Sequence, residues 1–298
     1  MDRQLLTTCA LNSRKWANEE GVPMRDTILS TILGASEASV RIRVAVLGLG
    51  EAGSIYAADL AGLGVAVAAA DPAVPAAPAG VTHAGGIPAA VRGAGLVLSL
   101  VGARAAEAAL AEALPAMEPA AIYADLNTAG PDQKRRWAEL AQRHSIAFVD
   151  VAVLAPVPRA RLRTPLVLSG AAADALLPVL SGWGIPAGSA GAEAGVAAGL
   201  KLLRSVFMKG LAATIFETVA AAKAVGAADW IIDQIASELG PSGHALVERI
   251  LAGTPVHAAR REAEMSEARN FLETLGASHP MTDGTIEWLH SLAPGSPS

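Results

Sequence analysis

The stretch Val44-Ala45-Val46-Leu47-Gly48-Leu49-Gly50-Glu51-Ala52-Gly53 decides how this chain is read. The first four residues are apolar and predict a buried strand, and the segment Glu51–Leu63 predicts a helix directly behind the glycines. Each glycine then has a task. Gly48 allows the tight turn from strand to helix, Gly50 lets a phosphate approach the backbone, and Gly53 lets the helix pack closely on the strand. Leu49, Glu51 and Ala52 complete the turn at a helix N-terminus, whose N–H groups and partial positive charge attract a pyrophosphate. Such a glycine pattern is weak alone and needs an acidic residue at the end of the next strand. Val65-Ala66-Val67-Ala68-Ala69-Ala70-Asp71 supplies it, about twenty residues on. Asp71 is expected to accept hydrogen bonds from ribose hydroxyls. Its charge repels a 2′-phosphate and no cation follows in Pro72-Ala73-Val74, so NAD is the expected cofactor, with NADP also admissible.

Working outward, short apolar runs predict further strands at Leu96–Val101, Ala121–Ala124, Ile146–Val149 and Leu166–Leu168, separated by helices at Ala103–Leu114 and Pro131–His144. Strands without a polar face that alternate with helices describe a parallel sheet covered on both sides. The expected fold class is α/β: a Rossmann-type dinucleotide-binding domain over residues 41–190, then an all-α domain over 191–298, joined by a long helix. Residues 1–40 read as an N-terminal extension, and Ala293–Ser298 as a frayed tail. Ala192–Val225 contains no proline and predicts one helix long enough to act as a spine. Helices at Ala227–Leu239, His244–Leu251, Ala258–Leu275 and Asp283–Leu292 follow, with breaks expected at Gly240-Pro241, Gly253, Pro255 and Pro280.

Composition limits the function classes. The 298 residues are 52% hydrophobic and carry a formal charge of −5, so a basic field for nucleic acid is absent and nucleic acid is not an expected partner. No uninterrupted apolar run of about 20 residues is seen, and charges from Arg3 to Glu20 break a signal-peptide pattern, so no membrane partner and a cytoplasmic location are expected. The single cysteine, Cys9, excludes an internal disulfide, and the six histidines show no paired ligand spacing, so no metal site is assigned. Trp183 and Trp230 are expected in a core or an interface.

Two of the five lysines, Lys201 and Lys209, lie in the apolar helix that begins near Gly195. At about 100° per residue, Arg204, Ser205 and Met208 return to the face of Lys201, while Leu200, Leu202, Leu203, Val206 and Phe207 cover the remainder. Cations in such surroundings either snorkel to water, pair with structural carboxylates, or face a cleft that receives an anion. In the last case Lys201 acts as general base and acid, and Arg204 clamps a carboxylate or phosphate. His257, Arg260 and Arg261 form a second basic group, read as a surface face or as part of an anion site.

On these residues the sequence resembles the β-hydroxyacid dehydrogenases, which include 6-phosphogluconate and 3-hydroxyisobutyrate dehydrogenases. The likeness runs from about Arg41 to Leu292. It is carried by Val46–Gly53, by Asp125-Leu126-Asn127-Thr128-Ala129-Gly130-Pro131, and by Gly195–Glu217 with its Lys201-to-Glu217 spacing of sixteen. The resemblance implies that Lys201 is the catalytic lysine, that Asn127 and Thr128 lie near nicotinamide and substrate, and that Leu100 and Val101 touch the cofactor through backbone atoms. Four departures stand against it: Ala197 replaces a glycine, Arg204-Ser205 replaces Asn-Asn or His-Asn, Leu154-Ala155-Pro156 replaces Ser-Gly-Gly, and Arg260–Met265 lacks a Lys-Asp pair. They point to a branch with a 6-phosphogluconate-dehydrogenase-like C-terminal domain, and substrate identity does not transfer.

The expected activity is hydride transfer between nicotinamide and a small anionic 3-hydroxy acid, with Arg204 and Ser205 holding the substrate and decarboxylation able to follow. A ketone or imine reductase on the same fold, or a dinucleotide-binding sensor without turnover, are the alternatives. A homodimer through the C-terminal helices is expected, both from the long apolar helix and from the resemblance.

Overall fold

A computed structural model describes residues 42–292. The expected extension, Cys9 and the C-terminal tail lie outside these residues. Within them the chain divides into two compact units, one ending at Ala198 and the other beginning at Gly199.

The first unit is built on β1 (Arg43–Leu47), α1 (Glu51–Gly62), β2 (Ala66–Ala70), β3 (Thr82–His83), α2 (Ile87–Val91), β4 (Leu96–Ser99), α3 (Ala106–Ala113), β5 (Ile122–Asp125), α4 (Pro131–Gln142), β6 (Ala147–Val153), α5 (Val157–Ala160), β7 (Leu166–Ser169), α6 (Ala173–Gly182) and β8 (Ala187–Ser189). The eight strands form one sheet in the order β3-β2-β1-β4-β5-β6-β7-β8. Alternation along β1 shows how the sheet is covered. Val44 and Val46 face a core that includes Tyr56 and Leu60 of α1 and Leu176 and Val179 of α6, whereas Ala45 and Leu47 face the opposite core with α2, α3 and Trp137 of α4. Strands buried on both faces need no polar alternation, which is why they read as continuous apolar runs. β2 is almost pure alanine, Ala66-Val67-Ala68-Ala69-Ala70, and alanine lines much of both cores.

Several expectations require correction. The sheet is not parallel throughout: β6 and β7 pair antiparallel, with Asp150 opposite Ser169 and Val153 opposite Leu166. The segment between them, Leu154 to Pro165, holds one helical turn and a 3₁₀ turn and returns the chain alongside β6 in the opposite direction. β4 stops at Ser99, so Leu100 and Val101 lie in the loop behind it. The two-residue β3 and the glycine-containing β8 carried too little apolar signal to be read. In α6, Pro178 removes one helical N–H bond, and the burial of Ala175, Leu176, Val179 and Leu180 offsets that loss.

The second unit is helical. α7 (Val196–Ala224) starts in the first unit and runs through the second, followed by α8 (Ala228–Glu238), α9 (Gly243–Val256), α10 (Ala258–Thr274) and α11 (Pro280–Ser291). Its core gathers Ala212, Ile215, Val219, Val247 and Ile250, and Phe216 meets Trp288 at 5.3 Å between ring centroids. Gly253 and Pro255 lie inside α9 rather than breaking it, since a proline in the last turn costs only one hydrogen bond. Pro280 opens α11, where its missing N–H has no helical partner in any case. The spine has 29 residues, about 43 Å, rather than the 34 expected.

Two readings of that helix also change. By length and composition α7 is long and apolar enough to cross a membrane, although charged residues interrupt its apolar sequence. Lys201, Arg204 and Lys209 lie within nine positions of it, and each would cost about 2.5–3.5 kcal/mol at a bilayer centre. Its apolar residues are not all buried either: Leu202 is, but Leu200 is 47%, Leu203 41% and Phe207 65% exposed. Trp230 is 64% exposed and belongs to no core.

Gly195, which leads into α7, has φ +95°, and an added Cβ would lie 2.5 Å from the Pro131 carbonyl oxygen; Gly191 has φ +102° but open space around it. Gly195→Ala should therefore lower the denaturant midpoint clearly more than Gly191→Ala. The shared backbone strain is about 1–3 kcal/mol, and equal losses would show that the contact with Pro131 has no consequence.

Candidate functional site

The strand order reverses between β1 and β4, and in an open α/β sheet the crevice at that reversal, outside the carboxyl ends of the strands, receives the ligand. The glycine turn lies there. Gly48 adopts φ +87°, and a Cβ on it would lie 2.6 Å from the Leu100 carbonyl oxygen; on Gly53 it would lie 1.9 Å from the Gly48 carbonyl oxygen. Both positions exclude a side chain for internal reasons. Gly50 is the opposite case, because a Cβ there would meet nothing within 4 Å, so the turn is open on the side a phosphate must approach. No side chain caps α1, and the first-turn N–H groups of Glu51, Ala52 and Gly53 have no partner one turn earlier in the helix. Glu51 contributes there through its backbone rather than its exposed carboxylate. This donor set fits a pyrophosphate.

Asp71 follows β2 directly and ties the turn together: Oδ2 accepts from the Leu49 N–H at 2.7 Å, and Oδ1 accepts from the Ala73 N–H at 2.8 Å. A carboxylate oxygen retains a second lone pair, so the same group can still receive ribose hydroxyls. Leu100 and Val101, half-buried, pack against the turn on its β4 side.

Beside this crevice lies a buried polar network. Lys134, 1% exposed, places its Nζ 2.6 Å from Asp125 Oδ1 and 3.0 Å from Asp150 Oδ1. Burial pushes its ammonium down, but the two carboxylates outweigh that and hold its pKa above the ordinary lysine value. Asp150 reaches on through Oδ2 to the Ala198 N–H at 2.8 Å, and Ser169 Oγ accepts from the Ala197 N–H at 2.9 Å, so both satisfy donors of the first turn of α7. On the other side Asn127 is fully engaged. Its Nδ2 donates to Asp125 Oδ2 at 2.8 Å and to Ser99 Oγ at 3.0 Å, and its Oδ1 accepts from the Gly102 N–H at 2.7 Å. Thr128 beside it is half-buried.

Sequence reading passed over Lys134, Asp125 and Asp150 as a group. The run Lys134-Arg135-Arg136 looks like a solvated helix face, yet Lys134 shares the phase of the buried Pro131, Trp137 and Ala141. A lysine in the apolar phase of a helix, with aspartates in two neighbouring strands, was the signal.

In the second unit, Lys201 is half-buried, Arg204 is exposed and Ser205 is buried on α7. Lys209, two turns beyond Lys201, donates to Ser205 Oγ at 2.9 Å and to Glu264 Oε2 of α10 at 2.5 Å. Arg260 lies 3.9 Å from the same carboxylate, and Arg261 donates to Thr254 Oγ1 at 2.7 Å. Burial, together with Arg261 and Arg204, draws the Lys209 ammonium below the usual lysine value despite Glu264. Burial would raise the Glu264 carboxyl, but Lys209, Lys201 and Arg260 outweigh it and hold it below the usual carboxylate value. Cations therefore outnumber Glu264 around this face, which suits an anionic ligand. No group of three or more metal-ligating side chains is found among the described residues.

A carboxylate held low in the folded state stabilises the fold above its unfolded value of 4.5, and that contribution disappears as pH falls through the lower folded value. Unfolding midpoints measured between pH 3 and 7 should fall more steeply on the acid side for the parent chain than for Glu264→Gln. Parallel curves would mean that Glu264 carries none of the acid sensitivity.

Residues 43–184 match the NAD binding domain of 6-phosphogluconate dehydrogenase, and residues 222–292 match a domain of unknown function (DUF1932). An uncharacterized 28.5 kDa protein of Methanothermus fervidus is 28% identical over 151 residues, 51% of this chain, and the match spans 58% of that relative's length. Among solved structures, a conserved hypothetical protein from Sinorhizobium meliloti is 31% identical with a TM-score of 0.69, over 84% of this chain and 88% of that one. Mycobacterium tuberculosis 3-hydroxyisobutyrate dehydrogenase, solved with L-serine, shares the fold at 22% identity and a TM-score of 0.70, covering 84% and 93% of the two chains. Streptomyces aurantiacus imine reductase shares it at 22% and 0.60, covering 83% and 93%. The chain thus joins an NAD binding domain of the 6-phosphogluconate dehydrogenase type to a DUF1932 domain and belongs to the β-hydroxyacid dehydrogenase family.

Proposed function

We propose that this protein is an NAD-linked dehydrogenase of a small anionic 3-hydroxy acid, in which Lys201 moves the hydroxyl proton. The observation that carries the reading is the cationic face of α7, where Lys201, Arg204 and Lys209 share the neighbourhood of one carboxylate, Glu264. Bound nicotinamide supplies the hydride acceptor or donor. The chain's own part is then to take the proton from the substrate hydroxyl at Lys201 Nζ, to hold the substrate's negative charge at Arg204, and to offer a hydroxyl from Ser205. Asn127 and Thr128 border the nicotinamide end. If the 3-keto acid loses CO2, Lys201 returns its proton to the carbonyl oxygen. Asp71 supports NAD over NADP, since a carboxylate that ends β2 opposes a 2′-phosphate.

A titration against NAD+, NADH, NADP+ and NADPH should show binding with NAD preferred. With a 3-hydroxy acid that is turned over, Lys201→Ala should lower kcat by about 10²–10⁴-fold with cofactor affinity retained. Unchanged turnover would overturn the role of Lys201, and reduction of ketones or imines without oxidation of any 3-hydroxy acid would assign the chain to the reductases.

The same helix supports a homodimer. Leu200, Leu203 and Phe207 recur at i, i+3 and i+7 and stand exposed, an apolar stripe that a second copy of this chain would cover. Light scattering should give twice the chain mass, and Phe207→Glu should shift it toward the monomer; a monomeric parent chain at working concentration would remove this reading.

A further inference from the structure

The buried Lys134–Asp125 pair has no task in the chemistry proposed above, yet its hydrogen bonds lead in two steps to the edge of the cofactor crevice. Asp125 Oδ1 accepts from Lys134 Nζ at 2.6 Å and from the Asn127 backbone N–H at 3.1 Å, which leaves Oδ2 for the Asn127 side-chain amide. An ionised carboxylate is an acceptor only, so the group facing Oδ2 has to be the NH₂ end of that amide. The amide is thereby fixed in one of its two orientations, and its carbonyl end points at the Gly102 N–H, 2.7 Å away. Gly102 belongs to the loop that begins with Leu100 and Val101, and that loop packs on Gly48 of the phosphate turn. In a sheet of this order Asp71 marks the adenosine half of the crevice, beyond β1, and the Leu100–Gly102 loop flanks the other half, beyond β4.

We propose that Asp125, held by Lys134, is a positioning residue for the nicotinamide half of the dinucleotide: it sets the polarity of the Asn127 amide, and the amide carbonyl holds the Leu100–Gly102 loop in its binding conformation. The proposal rests on the dinucleotide reading of the crevice and adds to it a polarity, donor toward Asp125 and acceptor toward Gly102. Reversing that polarity places an NH₂ group against the Gly102 N–H, two donors with no acceptor between them, and the loop must move to relieve it.

Asp125→Asn performs the reversal with almost no change of shape. The new Oδ1 keeps Lys134 and the Asn127 backbone N–H, and the new Nδ2 confronts the Asn127 amide. Lys134 retains Asp150 as its counter-ion. In the swapped double variant, Asp125→Asn with Asn127→Asp, residue 125 donates and residue 127 accepts on both sides, so the carbonyl-type contact to Gly102 returns. Ser99 can donate its hydroxyl in place of accepting.

Binding of NADH and of ADP, which lacks the nicotinamide nucleoside, is measured by titration on the full chain. The expected result is at least a tenfold loss of NADH affinity in Asp125→Asn, ADP affinity within twofold of the parent, and recovery of NADH affinity to within threefold in the double variant. A merely structural role would weaken both ligands together and would not be rescued by the swap. Equal NADH binding by Asp125→Asn, parallel loss of both ligands, or no recovery in the double variant overturns the proposal. Should Asp125→Asn fail to fold, Asn127→Asp alone, whose carboxylate is repelled by Asp125 and drawn off Gly102, should lose NADH affinity at least tenfold with ADP affinity retained and regain it in the double variant, and retained NADH affinity or no recovery overturns the proposal. Failure of the parent chain to bind either ligand removes the dinucleotide reading itself and this proposal with it, an outcome distinct from the others.

Discussion

A lysine enclosed by two aspartates is the constraint on which the first unit depends. Taken singly, each of these charges is costly to bury, several kcal/mol after relaxation, and breaking such a pair strands an uncompensated charge at a cost of about 3–5 kcal/mol. Lys134 therefore forces the carboxyl end of β5 and the middle of β6 to remain where α4 delivers its ammonium. Two carboxylates around one ammonium leave a buried excess of negative charge, and the first turn of α7, with its partial positive charge and its Ala197 and Ala198 N–H donors, faces it. Few apolar contacts impose so definite a geometry. The strand ends that border the ligand crevice are in this way held by polar bonds, while the apolar cores on the two sheet faces supply the bulk of the driving force.

The portion of the fold legible in the sequence was the portion in which local signals agree. β1, the glycine turn and α1 are specified by residues that touch one another within about twenty positions, so apolar run, turn chemistry and helix all point to one answer. The direction of β7 was not legible, because strand polarity depends on the path between strands and not on the strand's own residues. β3 and β8 are held mainly by neighbours and lack a pattern of their own. In the helical unit the expected breaks at Gly240-Pro241 and Pro280 do separate helices, whereas Gly253 and Pro255 lie inside one, because a proline in a last turn loses little.

The candidate site divides along the same line. Gly48, Gly50, Gly53 and Asp71 could be assigned from spacing, since one strand-turn-helix unit brings them together. The helix face that joins Lys201, Arg204 and Ser205 followed from a period of 3.6 residues. Lys209 was on that face too, but its partner Glu264 is 55 residues away, and no local pattern predicts a contact at that separation. The orientation of the Asn127 amide was illegible for another reason. It is decided by which atom of Asp125 faces it, and that depends on how Lys134 approaches from a different helix.

The alanine content of the strands and helices has a consequence for how this protein tolerates change. Where Ala68, Ala69, Ala106, Ala109 and Ala113 line the layers, sheet and helices approach closely and little volume remains between them. Truncation has almost nothing to remove at such positions, and enlargement has nowhere to go, so added methylenes force backbone shifts. Stability here is distributed over many small contacts, with no dominant aromatic anchor in the sheet layers beyond Tyr56, Tyr123, Trp137 and Phe148. Sequence drift in this unit is therefore confined from above, by size, more than from below by lost burial.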